Sequence, residues 1–486
     1  MALRDGNRMS SNATSSRSSR LASPPQDRSE LPSIESIEPL LSRYDIPGPR
    51  YTSYPTAPVW SSEFGEAQLR AVLAGVGAGE LSVYVHIPFC ESLCSYCACN
   101  REIRPDHRDA GPYLDCLEQE ADRIADALGS QSRCAQLAVG GGTPTYLSAA
   151  QLERMADIVD ARFPPAADAE RSIEIDPRVT SLEQLEVLAQ RGFNRISLGV
   201  QDLSPKVQRA IRRIQSREQT QLLAEQARSL GFSSVNFDLI YGLPYQTPDS
   251  FSETLASVLS MRPDRVALYS YAHVTWVSKQ QRGFERKHLP NAREKVALLL
   301  LAIERMREAG YCFIGLDHFA LPGDDLAQAA ANGSLHRNFM GYTTRSGSGV
   351  LALGASGISE LSGAYAQSAR TSAEWSERIR AGQLATIRGW SLSKDDRRRR
   401  WLLQRLMCAG EIDPDAYEAE WGEPLRGRIP DLEARLAPFV ADGLLEPVGS
   451  TWRLSLSGQI FLRPIAMTFD AYLEQAPAGP LFSKAL

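Results

Sequence analysis

Four cysteines close together in the sequence form the densest group of potential metal ligands in this chain. Cys90, Cys94, Cys97 and Cys99 lie within ten residues, at spacings of four, three and two. Thiolates this close can bind one metal centre, and soft sulfur ligands favour zinc, copper or iron–sulfur clusters. The spacing therefore indicates a metal site built from a single loop.

The remaining cysteines help to decide which kind of metal site the loop forms. They are isolated from one another, at Cys116, Cys134, Cys312 and Cys408. Structural zinc sites usually take their ligands from two separated pairs, and the chain offers no second pair. We therefore expect an iron–sulfur cluster held by three cysteines, with one iron left open. A lone zinc loop and cysteines that only pack in the interior stay open as alternatives.

The overall composition excludes several classes of protein. Lys and Arg number 53 and Asp and Glu 58, so the net charge of −5 predicts no nucleic-acid partner. The longest strongly apolar run, 296–303, is far shorter than the roughly 20 residues of a membrane span. The clustered cysteines do not form a disulfide pattern, so we expect a cytoplasmic protein.

The N-terminal part of the chain divides into two segments. Residues 1–34 are rich in Ser, Arg and Pro, and we expect a disordered extension there, with a transit peptide as the alternative. Residues 35–80 are predicted to be an N-terminal arm. The prolines within 47–55 favour extended backbone in that arm.

From residue 81 to about 390 the chain alternates short apolar runs with amphipathic helical patterns. The candidate strands are 81–86, 136–140, 171–175, 195–200, 234–240 and 265–271. Repeated strand–helix units of this kind predict parallel strands joined by right-handed crossovers. The spacing therefore predicts an α/β fold with a barrel or partial barrel.

Polar residues and glycines fall at or just past the ends of these predicted strands. They are Gly140 to Thr143, Glu174, Gln201, Asp238 and Ala272 with His273. In parallel barrels this rim carries the active site, although any one of them could instead cap a helix. The glycines at 140–142 would let the backbone approach a ligand closely.

Residues 391–486 are predicted to form a smaller helical domain. Ser393 to Asp396 match a capping box. The four arginines at 397–400 predict a solvated helix face, with the binding of a substrate carboxylate as the alternative. The pattern at 431–456, a helix and a possible hairpin around Gly449, is similar to a winged helix. The acidic balance of the chain argues against DNA binding there.

The cysteine motif resembles that of a known enzyme superfamily. Cys90-x3-Cys94-x2-Cys97 is similar to the signature of radical S-adenosylmethionine enzymes, and Cys99 extends the likeness to the oxygen-independent coproporphyrinogen III oxidase family. The same resemblance is carried by Tyr84 to Asn100, Gly140 to Thr145, Glu174 to Arg178, Gly199 to Asp202, Asp238 to Pro244 and His336 to Phe339. It implies an open six-stranded parallel β/α barrel with an N-terminal arm and a smaller helical C-terminal domain.

This resemblance also implies a chemistry. A 4Fe-4S cluster on Cys90, Cys94 and Cys97 would bind S-adenosylmethionine and cleave it to a 5′-deoxyadenosyl radical. Hydrogen abstraction from two propionates, each followed by loss of carbon dioxide, would convert the tetrapyrrole coproporphyrinogen III to protoporphyrinogen IX in heme biosynthesis. The expected partner is a low-potential electron donor such as flavodoxin or ferredoxin, and the expected state is a monomer.

Residues of the site are implied by the family motifs. Around a first S-adenosylmethionine the resemblance places Tyr84, Tyr96, Gly141 and Glu174. Around a second it places Gly142, Thr143, Gln201, Arg213, Asp238, Ala272 and Ile358. Catalytic roles are assigned to Cys99 and His86.

Three positions depart from the family pattern. Ala98 and Thr275 stand where Gly and Pro are usual, and Met340 stands where Gln is usual. The last exchange removes an amide donor and acceptor, so it bears on the second cofactor site and on the substrate. A heme-binding carrier of the same family, or another radical reaction such as methyl transfer or cyclopropanation, stays open as an alternative.

Overall fold

The fold is known from a computed structural model, which describes residues 31–129, 132–345, 349–361, 363–473 and 482–484. The predicted disordered extension, 1–34, lies outside the described residues apart from its last four. Within those four, the Ser33 side chain accepts a hydrogen bond from the Ser36 backbone N–H and caps the first helix.

Nineteen strands are present in the described residues. They are β1 (Glu80–Ile87), β2 (Phe89–Cys90), β3 (Glu102–Ile103), β4 (Arg133–Gly141), β5 (Pro165–Ile175), β6 (Arg195–Gln201), β7 (Ser234–Tyr241), β8 (Arg265–Ser270), β9 (Cys312–Gly315), β10 (His318–Ala320), β11 (His336–Asn338), β12 (Gly341–Thr343), β13 (Val350–Leu353), β14 (Ile358–Leu361), β15 (Ala364–Ser368), β16 (Thr386–Ser391), β17 (Glu411–Ile412), β18 (Leu445–Val448) and β19 (Thr451–Leu454).

Seventeen α-helices connect and flank these strands in the same part of the chain. They are α1 (Ile34–Tyr44), α2 (Glu66–Ala74), α3 (Ala110–Leu128), α4 (Ala149–Arg162), α5 (Leu182–Gln190), α6 (Pro205–Ile211), α7 (Arg217–Ser229), α8 (Pro248–Ser260), α9 (Ala292–Glu308), α10 (Asp325–Asn332), α11 (Ser372–Arg380), α12 (Lys394–Ala409), α13 (Pro414–Trp421), α14 (Leu425–Arg428), α15 (Leu432–Ala441), α16 (Leu456–Ile460) and α17 (Leu462–Met467). Short 3-10 helices lie at Ala57–Val59, Pro144–Tyr146, Lys279–Gly283 and Arg286–His288.

The six predicted strands form the middle of one twelve-stranded sheet. Strands β1, β4, β5, β6, β7 and β8 are neighbours in that order, and every adjacent pair is parallel. Strand β13 adds in parallel to β1, and β14, β15 and β16 continue the sheet antiparallel. Strands β10 and β9 extend the opposite edge. The predicted open, partial β/α barrel is confirmed.

The helices between the parallel strands bury one apolar face each, as their spacing predicts. On α3 the buried face includes Leu114, Leu117, Ala121 and Ile124, at the three- and four-residue intervals of one helix side. The helix ends at Gly129, which has the left-handed φ of 62° that glycine adopts without a steric penalty.

The arginines at the start of α12 do not form a solvated face, so that prediction is wrong. The capping box from Ser393 to Asp396 is present, but Arg398 pairs with Glu423 and Arg400 with Glu360. The helix packs against β9, β11 and α17. Arg398 and Arg400 therefore reach carboxylates outside the helix, Arg399 pairs with Asp395 of the same helix, and of the four only Arg397 is exposed.

The C-terminal region contains the predicted hairpin. Strands β18 and β19 pair antiparallel across Gly449, and β17 completes a three-stranded sheet with the order β17–β19–β18.

One cluster of buried side chains extends from Ile37 through the barrel to Phe469. The predicted boundaries of the arm, the barrel and its extension (81–390) and the C-terminal domain stay predictions. The described helices include none with the length and hydropathy needed to cross a membrane.

Candidate functional site

The cysteine loop is fixed to the end of β4 by the glycine segment. The backbone N–H of Gly142 donates to the carbonyl of Ile87 at 2.8 Å, and Thr143 donates to Phe89 at 2.9 Å. A Cβ on Gly142 would lie 2.6 Å from the Pro88 oxygen, and Gly141 has a φ of 123°. The glycines are therefore needed for the close contact between two segments of the chain, in addition to any contact with a ligand.

All four clustered cysteines line one cavity of about 510 Å³. Within it the Sγ of Cys90 lies 3.3 Å from the hydroxyl oxygen of Thr143. The side chains of Arg178 and Arg213 approach the Sγ of Cys94 to 3.5 and 3.7 Å. Two cations beside a thiol stabilise negative charge, as an anionic cluster requires.

The thiols differ in their ionisation. A hydrogen bond from Cys99, acting against burial, lowers the pKa of Cys97 to about 6. Burial raises the pKa of Cys90 to about 11. Among the described residues, no three His, Cys, Asp or Glu side chains surround a point suited to a single metal ion. All four thiols of the loop line one shared cavity, whose size fits a cluster of several atoms.

Two glutamines that sequence reasoning missed hold the cysteine loop from the other side. The amide of Gln281 donates to the carbonyl of Tyr96 at 2.7 Å and to that of Ala272 at 3.2 Å. Gln280 donates to the carbonyl of Cys97. Both lie in a short 3-10 helix about 180 residues further along the chain, and the local sequence carries no signal for this contact.

A second cavity, of about 680 Å³, lies against the first inside the partial barrel. Both cavities are lined by Glu174, Ser197, Asp238 and Tyr269. These side chains therefore form a common wall between the space beside the cysteines and the barrel interior. We refer to the two spaces as the cysteine cavity and the barrel cavity.

The barrel cavity is lined mainly by alternate residues of the parallel strands, and Val139, Ile173 and Ile196 line it between them. The alternate residues are Tyr84 and His86 on β1, Gln136 and Ala138 on β4, Glu170, Ser172 and Glu174 on β5, Arg195 and Ser197 on β6, Ser234, Asn236 and Asp238 on β7, and Arg265 and Tyr269 on β8. This period-two polar pattern is visible in the sequence and is the signal that was missed. Asp238 accordingly lies three residues before the end of β7 and not at or past that end as expected.

The two carboxyl groups of the common wall have raised pKa values. Burial, followed by the charge of Asp238, raises the pKa of Glu174 to about 7, and burial raises that of Asp238 to about 6. Glu174 accepts a hydrogen bond from the Gly141 N–H at 3.2 Å. Asp238 accepts from Ser197 and Asn236, each at 2.8 Å. Buried carboxyl groups of this kind suit a ligand with hydroxyl or ammonium donors.

Histidine 86 is held as a neutral ring. Burial lowers the pKa of His86 to about 4, so one ring nitrogen carries a proton near neutral pH. Its Nε2 lies 3.0 Å from the carbonyl oxygen of Asn100 and its Nδ1 lies 3.1 Å from the Tyr84 hydroxyl. The carbonyl can only accept, so Nε2 carries the proton and the Tyr84 hydroxyl donates to Nδ1. The ring thus links β1 to the end of the cysteine loop.

The structure brings the predicted site residues together around the two cavities. The residues expected around the first S-adenosylmethionine and those expected around the second do not, however, line separate cavities. The cysteine cavity holds Tyr96, Gly141, Gly142, Thr143, Gln201, Arg213 and Ala272. The barrel cavity holds Tyr84, His86 and Ile358, and both cavities share Glu174 and Asp238. Gln201 ends β6 with a φ of 67°, a strained backbone conformation typical of functional sites.

The three departures from the family pattern lie in different places. Ala98 lines the cysteine cavity and Met340 lines the barrel cavity, whereas Thr275 lines neither of them. The Met340 side chain therefore faces the space beyond the common wall.

The N-terminal arm contributes to both cavities. Arg50 lines the cysteine cavity and pairs with Asp317 at 2.9 Å, and Ala57 lines the barrel cavity. The carbonyl of Tyr51 accepts a hydrogen bond from the buried Arg337 at 2.9 Å.

His336, the neighbour of Arg337, lines a separate cavity with Trp401. Of the motif His336 to Phe339, only Phe339 lines the barrel cavity.

Comparison with protein families gives two matches. Residues 84–258 match the radical SAM superfamily, and residues 392–461 match the HemN C-terminal domain. The first match covers the cysteine loop and the strands from the second half of β1 to β7. Its cofactors, a 4Fe-4S cluster and S-adenosylmethionine, fit the thiols, the nearby arginines and the adjoining polar space.

Individual proteins match along nearly the whole chain. Oxygen-independent coproporphyrinogen III oxidase of Salmonella typhimurium is 40% identical over 92% of this chain and 98% of its own length. The Pseudomonas aeruginosa protein of the same name is 41% identical over 89% and 95%. The solved structure of Escherichia coli coproporphyrinogen III oxidase (HemN), a radical SAM enzyme, matches with a TM-score of 0.84 and 40% identity over 87% of this chain and 98% of that chain. The chain belongs to the oxygen-independent coproporphyrinogen III oxidase family of the radical SAM superfamily.

Proposed function

We propose that this protein catalyses the oxygen-independent oxidative decarboxylation of coproporphyrinogen III to protoporphyrinogen IX, a step of heme biosynthesis. One observation carries the proposal. The cavity lined by Cys90, Cys94 and Cys97 shares a wall with a second cavity large enough for part of a tetrapyrrole. The names of the most similar relatives support the same activity.

The cofactors supply the radical chemistry, and the residues of the chain position the cofactors and the substrate. When bound, the cluster and S-adenosylmethionine supply a carbon radical able to take hydrogen from a substrate side chain. In this proposal Cys90, Cys94 and Cys97 hold the cluster, and the exposed Cys99 is left free of it. The arginines beside Cys94 would favour the anionic state of the cluster.

The common wall is the proposed binding surface for S-adenosylmethionine. Glu174 and Asp238 present buried carboxyl groups to both cavities. Burial raises the pKa of both carboxyl groups, so further hydrogen-bond donors would stabilise their charged forms. Ribose hydroxyls or an ammonium group would supply those donors. The residues expected around a second molecule of this cofactor stay candidates for that role: Gly142, Thr143, Gln201, Arg213, Asp238, Ala272 and Ile358.

The barrel cavity is the proposed substrate space. Phe339, Met340 and Ile358 line part of it, and apolar side chains suit the pyrrole rings of the substrate. Trp60 packs edge-on against Phe339, with ring centres 5.8 Å apart. The arm thereby supports this wall and helps to exclude water, and oxygen with it, from a radical reaction. We extend the proposal to a cytoplasmic monomer that receives electrons from flavodoxin or ferredoxin.

The proposal is tested by turnover of the reconstituted protein without oxygen. Coproporphyrinogen III, S-adenosylmethionine and a reductant should yield two molecules of carbon dioxide per protoporphyrinogen IX, identified by absorption after oxidation to protoporphyrin. Cys94→Ala should abolish the reaction, whereas Cys116→Ala, a buried cysteine of α3, should not. Tight stoichiometric heme binding without decarboxylation would indicate a carrier. Cofactor cleavage without loss of carbon dioxide would indicate a different radical substrate.

A further inference from the structure

One wall of the barrel cavity is built by the antiparallel strands β14, β15 and β16. Ile358 on β14 stands opposite Gln367 on β15, and Gln367 stands opposite Arg388 on β16. All three residues line the cavity. Neighbouring strands are about 4.8 Å apart, so the row places Arg388 about 10 Å from Ile358.

The Arg388 side chain is positioned by three contacts. Its Nε donates to the Gln367 amide oxygen at 2.7 Å, and its Nη1 donates to the carbonyl of Ala57 at 3.1 Å. Its guanidinium carbon lies 5.8 Å from the centre of the Trp60 ring. These contacts fix the plane of the guanidinium group and leave its Nη2 without a hydrogen-bond partner among the described residues.

A second arginine faces the same cavity. Arg370 lines it, and the Arg370 carbonyl accepts a hydrogen bond from the Asn100 side chain at 2.8 Å. Asn100 directly follows Cys99, so this contact ties the segment of Arg370 to the cysteine loop. Arg388 lines the same cavity, and burial and then the positive charge of Arg370 lower the pKa of Arg388.

These two arginines differ from the others that line the cavity. Arg195 pairs with Glu170, and Arg265 pairs with Asp324. Neither Arg370 nor Arg388 forms an ion pair with a carboxylate of the described chain. Arg388 is half-buried and Arg370 is exposed, and two unpaired guanidinium groups lining one cavity favour an anion there. The carboxyl groups of Glu174 and Asp238 lie at the common wall, where a further carboxylate would be repelled.

We infer that Arg388 and Arg370 bind a propionate carboxylate of the tetrapyrrole substrate, and that Gln367 positions Arg388 for this contact. The inference rests on the proposed function and identifies the residues that orient the substrate. A guanidinium group offers two parallel N–H donors that match a carboxylate. Binding one propionate at this wall leaves another part of the substrate to reach the common wall, where hydrogen is removed.

The test compares single variants of the full-length reconstituted enzyme. In Arg388→Gln and Arg370→Gln the KM for coproporphyrinogen III should rise about 10- to 100-fold, the effect of one lost charge-assisted hydrogen bond. S-adenosylmethionine cleavage measured without substrate should stay unchanged. Arg388→Lys should recover part of the lost affinity for the substrate, since lysine keeps the positive charge but lacks the two parallel N–H donors of the guanidinium group. Arg380→Gln is the control, because Arg380 is exposed on α11 and lies outside the cavity.

A substrate series makes the test specific to the carboxylate. The substrates are analogues of coproporphyrinogen III in which a single propionate is replaced by ethyl. For one of these analogues the wild type should show a higher KM than for coproporphyrinogen III, whereas Arg388→Gln should show nearly the same KM for both. An unchanged KM in both glutamine variants would overturn the inference, as would equal sensitivity of wild type and Arg388→Gln to every replacement. A wild-type enzyme that forms no protoporphyrinogen would instead refute the proposed function, so the two failures are distinguishable.

Discussion

Arg213 and Asp176 form a bidentate ion pair beside the cysteine loop. The Nη1 of Arg213 lies 2.8 Å from Oδ2 of Asp176, and its Nη2 lies 3.0 Å from Oδ1. The same Nη2 donates to the carbonyl of Gly199 at 2.6 Å. The guanidinium group of Arg213, a residue expected beside a second S-adenosylmethionine, therefore already binds a carboxylate within the chain. It joins the segment after α6 to the end of β5 and to Cys94.

This pair yields a prediction on stability. Although burial acts to raise it, Arg213 and Arg178 lower the pKa of Asp176. Asp176→Asn keeps the shape of the side chain but leaves two cations close together, so it should lower the free energy of unfolding by about 3 kcal/mol. Urea denaturation of cluster-free protein measures this. Asp106→Asn, which removes the exposed partner of Arg108, should leave the midpoint unchanged. Equal midpoints for both variants would show that the buried pair adds nothing.

The ligands of the cluster can be separated by substitution. Cys90→Ala, Cys94→Ala and Cys97→Ala should each lose the four-iron cluster and all cleavage of S-adenosylmethionine, because three thiolates are the minimum set in this loop. Cys99→Ala should retain iron and sulfide. Analysis of iron and acid-labile sulfide after anaerobic reconstitution shows which of the four cysteines bind the cluster. A cluster that persists in Cys90→Ala and disappears in Cys99→Ala would contradict this assignment.

The parts of the molecule that were predictable from sequence are those set by local patterns. The spacing from Cys90 to Cys97 identifies the cluster loop, and the repeated apolar runs identify the six parallel strands. The polar lining of the barrel was missed because residues such as Asn236 and Ser172 were treated as parts of buried apolar strands. Their alternation with apolar neighbours shows that one strand face points into a polar cavity.

Other features depend on contacts between distant parts of the chain. The partner of Arg400 is Glu360, 40 residues earlier, and no local pattern connects them. The same holds for Gln281 and the carbonyl of Tyr96, 185 residues apart. Such pairs follow from how the strands and helices pack together, so they become visible only in the folded structure.

Glu174 should make the stability of the cofactor-free protein depend on pH. Its pKa is raised from 4.5 to about 7 in the folded state, so the folded protein binds more protons than the unfolded chain between these values. Stability should therefore fall as pH rises from about 4.5 to about 7 and then level off. Glu174→Gln removes this penalty and should raise stability at pH 8 by on the order of 1–3 kcal/mol.

The measurement is the thermal midpoint of cluster-free protein at several pH values, together with S-adenosylmethionine binding to the reconstituted form. The same Glu174→Gln variant should bind S-adenosylmethionine about 10- to 100-fold more weakly, because it loses a charged acceptor. Glu183→Gln, at an exposed position of α5, is the control for both. A loss of stability at pH 8 with normal binding would identify Glu174 as a structural residue.

Met340 provides the test of how this chain departs from its family. Its side chain lines the barrel cavity, and its backbone N–H donates to the Asn338 side chain at 2.9 Å. That bond does not involve the side chain of residue 340, so Met340→Gln should change only what the cavity wall offers to a ligand. Glutamine restores one donor and one acceptor, each worth about 0.5–1.5 kcal/mol. We expect kcat/KM for coproporphyrinogen III to be equal or up to about tenfold higher, through a lower KM.

Met340→Leu separates this effect from a change in packing. Leucine is apolar and of similar size, so it should leave kcat/KM within about twofold of the wild type. S-adenosylmethionine cleavage without substrate should be the same in all three proteins, since Met340 does not line the cysteine cavity. If Met340→Gln lowers kcat/KM while Met340→Leu preserves it, this chain requires an apolar contact at residue 340. In that case the methionine is an adaptation of the substrate space and not a lost hydrogen bond.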